Sequence, residues 1–289
     1  MKTYHLHLVS DATGETLVSV ARAASAQFER AHTVEYLHAM IRSERQMETV
    51  INEIREHRGF VMFTLVNPEL RDQLEQACRD LDVPYQAVLD PVLVALGRFL
   101  GEESLGLPGQ QHKMNAEYFG RIDAMSFTMA HDDGQMVEDI HHADIVLVGV
   151  SRTSKTPTCI YLAGRGLKAA NVPFVPDVPL PEELEGLTRP LIVGLTISPE
   201  RLVHIRKARL AGLTGGDESH YVQLDAVEAE VAQARRLFAR HGWPVIDVSR
   251  RSIEETAAAI YNLYQRRKEQ QLESAAAGPD ASGAADETS

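Results

Sequence analysis

Short apolar runs alternate along this chain with stretches in which apolar positions recur every three or four residues. The runs predict buried strands and the spaced positions predict amphipathic helices; their alternation builds a parallel sheet covered by helices. Tyr4 to Val9 is the first expected strand. Asp11-Ala12-Thr13-Gly14 then turns into a helix with Leu17, Val20, Ala21, Ala24 and Phe28 on one face, and Val34 to Leu37 is a second strand. Ser43-Glu44-Arg45-Gln46 is a capping box opening a helix whose Met47, Val50, Ile51 and Ile54 face inward. Phe60 to Val66 is a strand, Asn67-Pro68 starts a helix carrying Leu70, Leu74, Ala77 and Leu81, and Tyr85 to Leu89 is a fourth strand.

The pattern breaks from Gly101 to His112, which is Gly/Pro-rich and polar, and a domain junction is expected there. A bridging helix follows from Met114 to about Met129, with Tyr118, Ile122, Met125 and Met129 in register as core filler. Ile145 to Val148 is apolar throughout, as expected of a strand buried on both faces. Further strands are expected at Phe174-Val175, Leu191 to Ile197 and Val245 to Val248, with helices opening at Ser198-Pro199-Glu200, spanning Ala226 to Arg240, and boxed by Ser252-Ile253-Glu254-Glu255. The fold class is thus α/β: an N-terminal parallel-sheet domain over residues 1–105, a second α/β domain over 106–272, and a tail, 273–289, whose Ala, Gly, Ser, Asp and Glu predict disorder.

Composition narrows the partners. Lysine and arginine number 29 against 41 aspartates and glutamates, a net charge of −12, which argues against nucleic acid and anionic membrane as partners. The two cysteines, Cys78 and Cys159, stand far apart without metal-ligand spacing, and no run approaches the roughly 18 apolar residues of a membrane span. A cytoplasmic protein is expected. The histidine pairs His5 with His7 and His141 with His142 lack further ligands at diagnostic spacing, so no structural metal is expected.

The chemistry concentrates behind the most apolar strand. Gly149-Val150-Ser151-Arg152-Thr153-Ser154-Lys155-Thr156 matches the phosphate-binding pattern G-x-x-x-x-G-K-[ST] except that Ser154 replaces the second glycine. Strand, loop and helix follow in the required order, so the α/β domain over 106–272 is expected to be P-loop kinase-like. Such a loop turns backbone N–H groups and a helix N-terminus toward an oxyanion, Lys155 bridges terminal phosphates, and Thr156 offers its hydroxyl to Mg²⁺. If position 154 needs positive φ, a serine there strains the backbone by about 1 kcal/mol.

Val148 to Pro157 with Tyr161-Leu162-Ala163 resembles the signature of the regulatory proteins of pyruvate, phosphate dikinase and of phosphoenolpyruvate synthase. The likeness extends to Ser10-Asp11, His131-Asp132-Asp133-Gly134, Gly194-Leu195-Thr196-Ile197 with Pro199-Glu200-Arg201-Leu202, and Ile253-Glu254-Glu255. It implies a bifunctional enzyme. An ADP-dependent serine/threonine kinase phosphorylates a threonine of the target and inactivates it, and a phosphorylase using inorganic phosphate removes the group as pyrophosphate. The same resemblance makes Gly149 to Thr156 the ADP-binding loop, with pyruvate, phosphate dikinase favoured over the synthase as protein substrate.

That chemistry asks for a base and a metal-side group. Asp132 or Asp133 is the expected base, and Asp177, after the next strand, the expected Mg²⁺ ligand beside Thr156. Asp11 ends the first strand, where α/β folds place ligand contacts or helix caps. The basic stretch Arg201, His204, Arg206, Lys207 and Arg209 is either a solvated face or a dock for phosphothreonine, phosphate or the dikinase surface. A small-metabolite P-loop kinase and a non-catalytic nucleotide sensor stay open as other readings, and a homodimer is compatible with a sequence in which no interface is legible.

Overall fold

Nearly every expected strand is a parallel strand in a computed structural model of the chain, which describes residues 3–28, 32–109, 116–211 and 221–276. The chain divides into two units, Met1–Lys113 and Met114–Ser289.

The first unit runs β1 (Thr3–Ser10), α1 (Glu15–Ser25), β2 (His32–His38), α2 (Glu44–Glu56), β3 (Phe60–Thr64), α3 (Pro68–Asp80), β4 (Tyr85–Ala87) and α4 (Asp90–Leu100). The strands pair in the order β2-β1-β3-β4, all parallel, with Leu6 opposite Phe60 and Leu8 opposite Met62. Side chains alternate across the sheet with period two. Leu6, Leu8 and Met62 therefore pack with Leu17 and Ala21 of α1, while Val9, Val61 and Phe63 pack with Met47, Val50 and Ile54 of α2 and Leu70 and Leu74 of α3. The expected caps form: Ser43 accepts the N–H of Gln46 and Asn67 that of Leu70.

The helix α4 was not expected. No element is expected between Leu89 and Gly101, yet Pro91 stands in the first turn of a helix that ends at Gly101 with φ 70°. Its apolar residues come as consecutive runs rather than a stripe, and Val92, Val94 and Phe99 stay exposed.

The second unit runs α5 (Ala116–Ala130), β5 (Ile145–Gly149), α6 (Lys155–Ala163), β6 (Ala169–Pro173), β7 (Leu191–Thr196), α7 (Pro199–Ala211), α8 (Leu224–His241), β8 (Val245–Asp247) and α9 (Ile253–Ala276), with short 3₁₀ helices at Val137–His142 and Glu182–Leu184. The strand order β6-β5-β7-β8 repeats that of the first unit. Every residue of β5 and β7 is buried, because α5, α6 and α9 form one layer and α7 and α8 another. The chain leaves β5 toward β6 on one side and returns to β7 on the other. A crevice at the carboxyl end of the strand where the order reverses is the usual ligand position in such sheets.

Three expectations change here. The strand placed at Phe174-Val175 lies at Ala169–Pro173 instead, its small residues Ala169 and Ala170 hiding it from a search for bulky apolar runs. On α5 the expected core stripe faces solvent, with Met129 73% and Ile122 46% exposed, while Ala124 and Thr128 are buried. The helix α9 continues to Ala276, past the expected start of the tail at 273, and the rest of the tail lies outside the described residues. Among the described residues no helix is long and apolar enough to cross a membrane.

Close packing on β7 fixes one position. A Cβ on Gly194 would stand 2.5 Å from the ring of Phe238, a fully buried side chain of α8. Gly194→Ala is expected to destabilise the protein by about 1–3 kcal/mol through overpacking. Urea denaturation should show a lower midpoint, and an unchanged midpoint would contradict the close packing of α8 on β7.

Candidate functional site

The loop after β5 is closed by sterics. A Cβ at Gly149 would meet the carbonyl oxygen of Leu195 at 2.7 Å and Thr153 Oγ1 at 2.9 Å, so glycine is required where β5 passes β7. Thr153 is fully buried and donates to the carbonyl of Val150. Arg152 and Ser154 take left-handed conformations, with φ of 74° and 60°. Ser154 thus adopts the positive φ that glycine holds in the standard pattern, and it stands directly before the first turn of α6.

That turn differs from its counterparts. The α-helices α1 to α5 and α7 to α9 each carry an aspartate or glutamate in the first turn, where it meets the positive end of the helix dipole. In α6 there is none, and Lys155 opens the helix. Its own first turn therefore supplies no acidic side chain to answer the N–H donors and the dipole.

Lys155 folds back into the loop. Its Nζ donates to the carbonyls of Gly149 at 2.9 Å and Val150 at 3.1 Å, and the residue is 7% exposed. Burial pushes its pKa down to about 8, opposed by the negative field of Asp133 first among the carboxylates, then Asp132 and Glu230. The nearby Cys159 thiol is fully buried and held up by the same desolvation, which keeps it protonated and inert.

Asp132 and Thr156 meet. The Thr156 hydroxyl donates to Asp132 Oδ1 at 2.9 Å, and Asn171 on β6 donates through Nδ2 to that carboxylate oxygen and to Thr156 Oγ1, the latter at 3.0 Å. The Asn171 main chain holds the same turn, its N–H donating to the carbonyl of His131 and its carbonyl accepting from Gly134. Reversing the amide would set its oxygen against the carboxylate, so Nδ2 must face Asp132. Asn171 Oδ1 is then left buried without a partner. His131 anchors the turn from the other side: its Nδ1 bonds the carbonyl of Phe127 at 2.8 Å and its ring stacks on Phe127.

Asp133 is exposed, at φ 53°. Asp177, expected beside Thr156, sits exposed in the turn after β6, and no described hydrogen bond or ion pair ties it to the loop. The carboxylate that reaches Thr156 is Asp132. Among the described residues no group of three or more histidines, cysteines or acids could hold a metal by itself. The basic stretch on α7 also divides: Arg201, His204, Lys207 and Arg209 are exposed, but Arg206 is 2% exposed and forms a two-pronged ion pair with Glu230 of α8 at 2.7 and 2.9 Å. In the first unit, Asp11 is buried and accepts the N–H of Val66 at 2.8 Å, bracing β1 to the end of β3 rather than capping α1.

The family profile described as kinase/pyrophosphorylase matches residues 6–261. The chain belongs to the kinase/pyrophosphorylase family. A relative from Paramagnetospirillum magneticum is 55% identical over 269 residues, covering 93% of this chain and 86% of its own. One from Bradyrhizobium diazoefficiens is 52% identical over 267 residues, 92% of this chain and 95% of its own. Both are provisionally named pyruvate, phosphate dikinase regulatory proteins. A solved solute-binding protein of an ABC transporter from Actinobacillus succinogenes, with D-allose bound, aligns over 92% of each chain at 12% identity and a TM-score of 0.22, too slight a likeness to bear on fold or function.

For a kinase/pyrophosphorylase, the group that sequence reading missed is Asn171. Its signal was a lone amide in the strand Ala169-Ala170-Asn171-Val172, since a buried polar side chain demands partners.

The buried ammonium has a consequence for stability. The unfolded chain keeps Lys155 near its ordinary 10.5 and the folded chain near 8, so between these values the unfolded state holds the extra proton. Stability from this group therefore rises with pH across that window. Relative to Lys155→Met, the wild-type protein should gain up to about 3 kcal/mol between pH 7.5 and 10 in denaturant titrations. Parallel pH profiles for the two proteins would contradict a buried lysine with a lowered pKa.

Proposed function

We propose that this chain is a bifunctional enzyme that regulates pyruvate, phosphate dikinase by phosphorylating a threonine from ADP and removing the phosphoryl group with inorganic phosphate. Family membership supports phosphoryl transfer, and the relatives' names support the target. The observation that carries the reading is Lys155, buried in a left-handed loop at the one α-helix start among the described residues that lacks an acid. A diphosphate in that loop, Gly149 to Thr156, would accept main-chain N–H donors and draw the ammonium off its two carbonyls.

In the kinase direction the target threonine oxygen attacks Pβ of ADP, the bond from Pβ to the bridging oxygen breaks, and AMP leaves. Asp133, exposed and the foremost carboxylate in the field of Lys155, takes the hydroxyl proton. In the second reaction inorganic phosphate attacks the phosphorus of the phosphothreonine, the bond from that phosphorus to the threonine oxygen breaks, and the oxygen takes back a proton from Asp133, giving threonine and pyrophosphate. Thr156 and Asp132 are the residues that would hold Mg²⁺, with the unpartnered oxygen of Asn171 beside them; an all-oxygen set with one carboxylate suits that ion. Magnesium, when bound, supplies neutralisation of phosphate charge. Asp132 thereby takes the metal-side role expected of Asp177, and the choice of base falls on Asp133.

The test uses β-labelled ADP with purified pyruvate, phosphate dikinase. Label should reach a threonine, and added phosphate should release it as pyrophosphate. Lys155→Ala should abolish transfer, and Asp133→Asn should lower kcat by about 10²–10⁴ with the KM for ADP little changed. Asp132→Asn should instead raise the magnesium concentration needed for half-maximal rate. Label appearing only on phosphoenolpyruvate synthase would move the target. Transfer from ATP to a small molecule, or tight nucleotide binding without any transfer, would refute the proposal.

A further inference from the structure

We propose that Arg206, braced by Glu230 and covered by Tyr221, is a positioning residue that sets the conformation of the phosphate loop before any ligand arrives. The inference rests on the loop's proposed role in holding ADP. Arg206 lies on α7 and Glu230 on α8, so their ion pair ties two helices of one layer. The same guanidinium donates from Nη2 to the carbonyl of Ser151 at 3.3 Å and from Nη1 to the carbonyl of Tyr221 at 3.2 Å. The Tyr221 ring lies over it with the guanidinium carbon 4.3 Å from the ring centre, and its hydroxyl stands 3.4 Å from Ser151 Oγ.

A planar trans peptide places its carbonyl and its N–H on opposite sides. Holding the Ser151 carbonyl toward Arg206 therefore turns the Arg152 N–H away from α7 and α8. The left-handed φ of Arg152 is the strained state that this anchor maintains. A surface cation recruiting phosphate would not be 2% exposed and spent on a carboxylate and two carbonyls. An ion pair kept for stability alone is often replaceable by apolar side chains of similar volume without loss. What apolar side chains cannot supply is the donor to Ser151.

That difference defines the experiment. Arg206→Met with Glu230→Met removes both charges together and leaves no buried charge unpaired; Arg206→Lys keeps the ion pair but not the fork. Two quantities are read in the intact protein: hydrogen exchange of the amides between residues 149 and 156 without nucleotide, and the kinetics with ADP. The double variant is expected to melt cooperatively near the wild-type temperature, to exchange loop amides faster, and to show a KM for ADP raised about tenfold or more with kcat within about threefold. Arg206→Lys should fall between the two. Wild-type exchange and wild-type KM in the double variant would overturn the proposal, as would a fall in kcat at constant KM. If the double variant does not fold, Arg206→Lys decides by the same two readings. If the wild-type protein itself binds no ADP, the functional reading fails, and loop exchange alone judges the anchor.

Discussion

Burying one ammonium group at the end of an apolar strand is the constraint around which the second unit is arranged. All five residues of β5 are buried, so the chain enters the loop from a position with no freedom. A charge brought into that environment must be solvated by protein dipoles or lose its proton. The carbonyls of Gly149 and Val150 supply the dipoles, and Asp133, Asp132 and Glu230 supply the field. Each of these acids has its own place. Asp132 is fixed by Thr156 and Asn171, Glu230 by Arg206, and Asp133 alone faces solvent.

Conformational strain follows the same arrangement. In the second unit the described non-glycine residues with positive φ are Asp133, Met136, Arg152, Ser154 and Asp177, all in the turns around β5 and β6. Each costs on the order of 1 kcal/mol, and such costs persist where surrounding contacts over-determine the backbone. Here the contacts are identifiable: Asn171 and His131 grip the turn of Asp133, and Arg206 and Thr153 grip the loop. The rigid parts are main chain held by side chains from neighbouring elements, which suits the proposed role of receiving phosphate by its amides.

How much of this was legible follows from what the residues do. The strands β3, β5 and β7 were readable because sheets covered on both faces need continuous apolar runs. The strand β6 was not, since alanine and asparagine fit a crowded edge without advertising it. The loop was readable because its pattern is local. Asp132, Asn171 and Arg206 acquire their roles only through partners 24, 39 and 55 positions away, at Thr156, Asp132 and Ser151. Arg206 misled outright, because four basic neighbours on one helix look like a solvated face until packing turns one of them inward.

The two units, alike in strand order, show what the fold contributes and what the sequence adds. Both pass from the first strand to the first following helix through a residue in the left-handed region, Gly14 at φ 79° and Ser154 at φ 60°. The backbone device therefore belongs to the topology. Beyond it the units part. Glu15 occupies the first turn of α1 and answers the helix dipole with the protein's own carboxylate. Lys155 occupies the same place in α6, adding positive charge where the dipole is already positive and where burial disfavours it. Stability alone would select the acid. A lysine kept there, with its desolvation offset by two carbonyls and three carboxylates, accords with the proposed diphosphate, an anion from outside that would satisfy dipole, amides and ammonium at once.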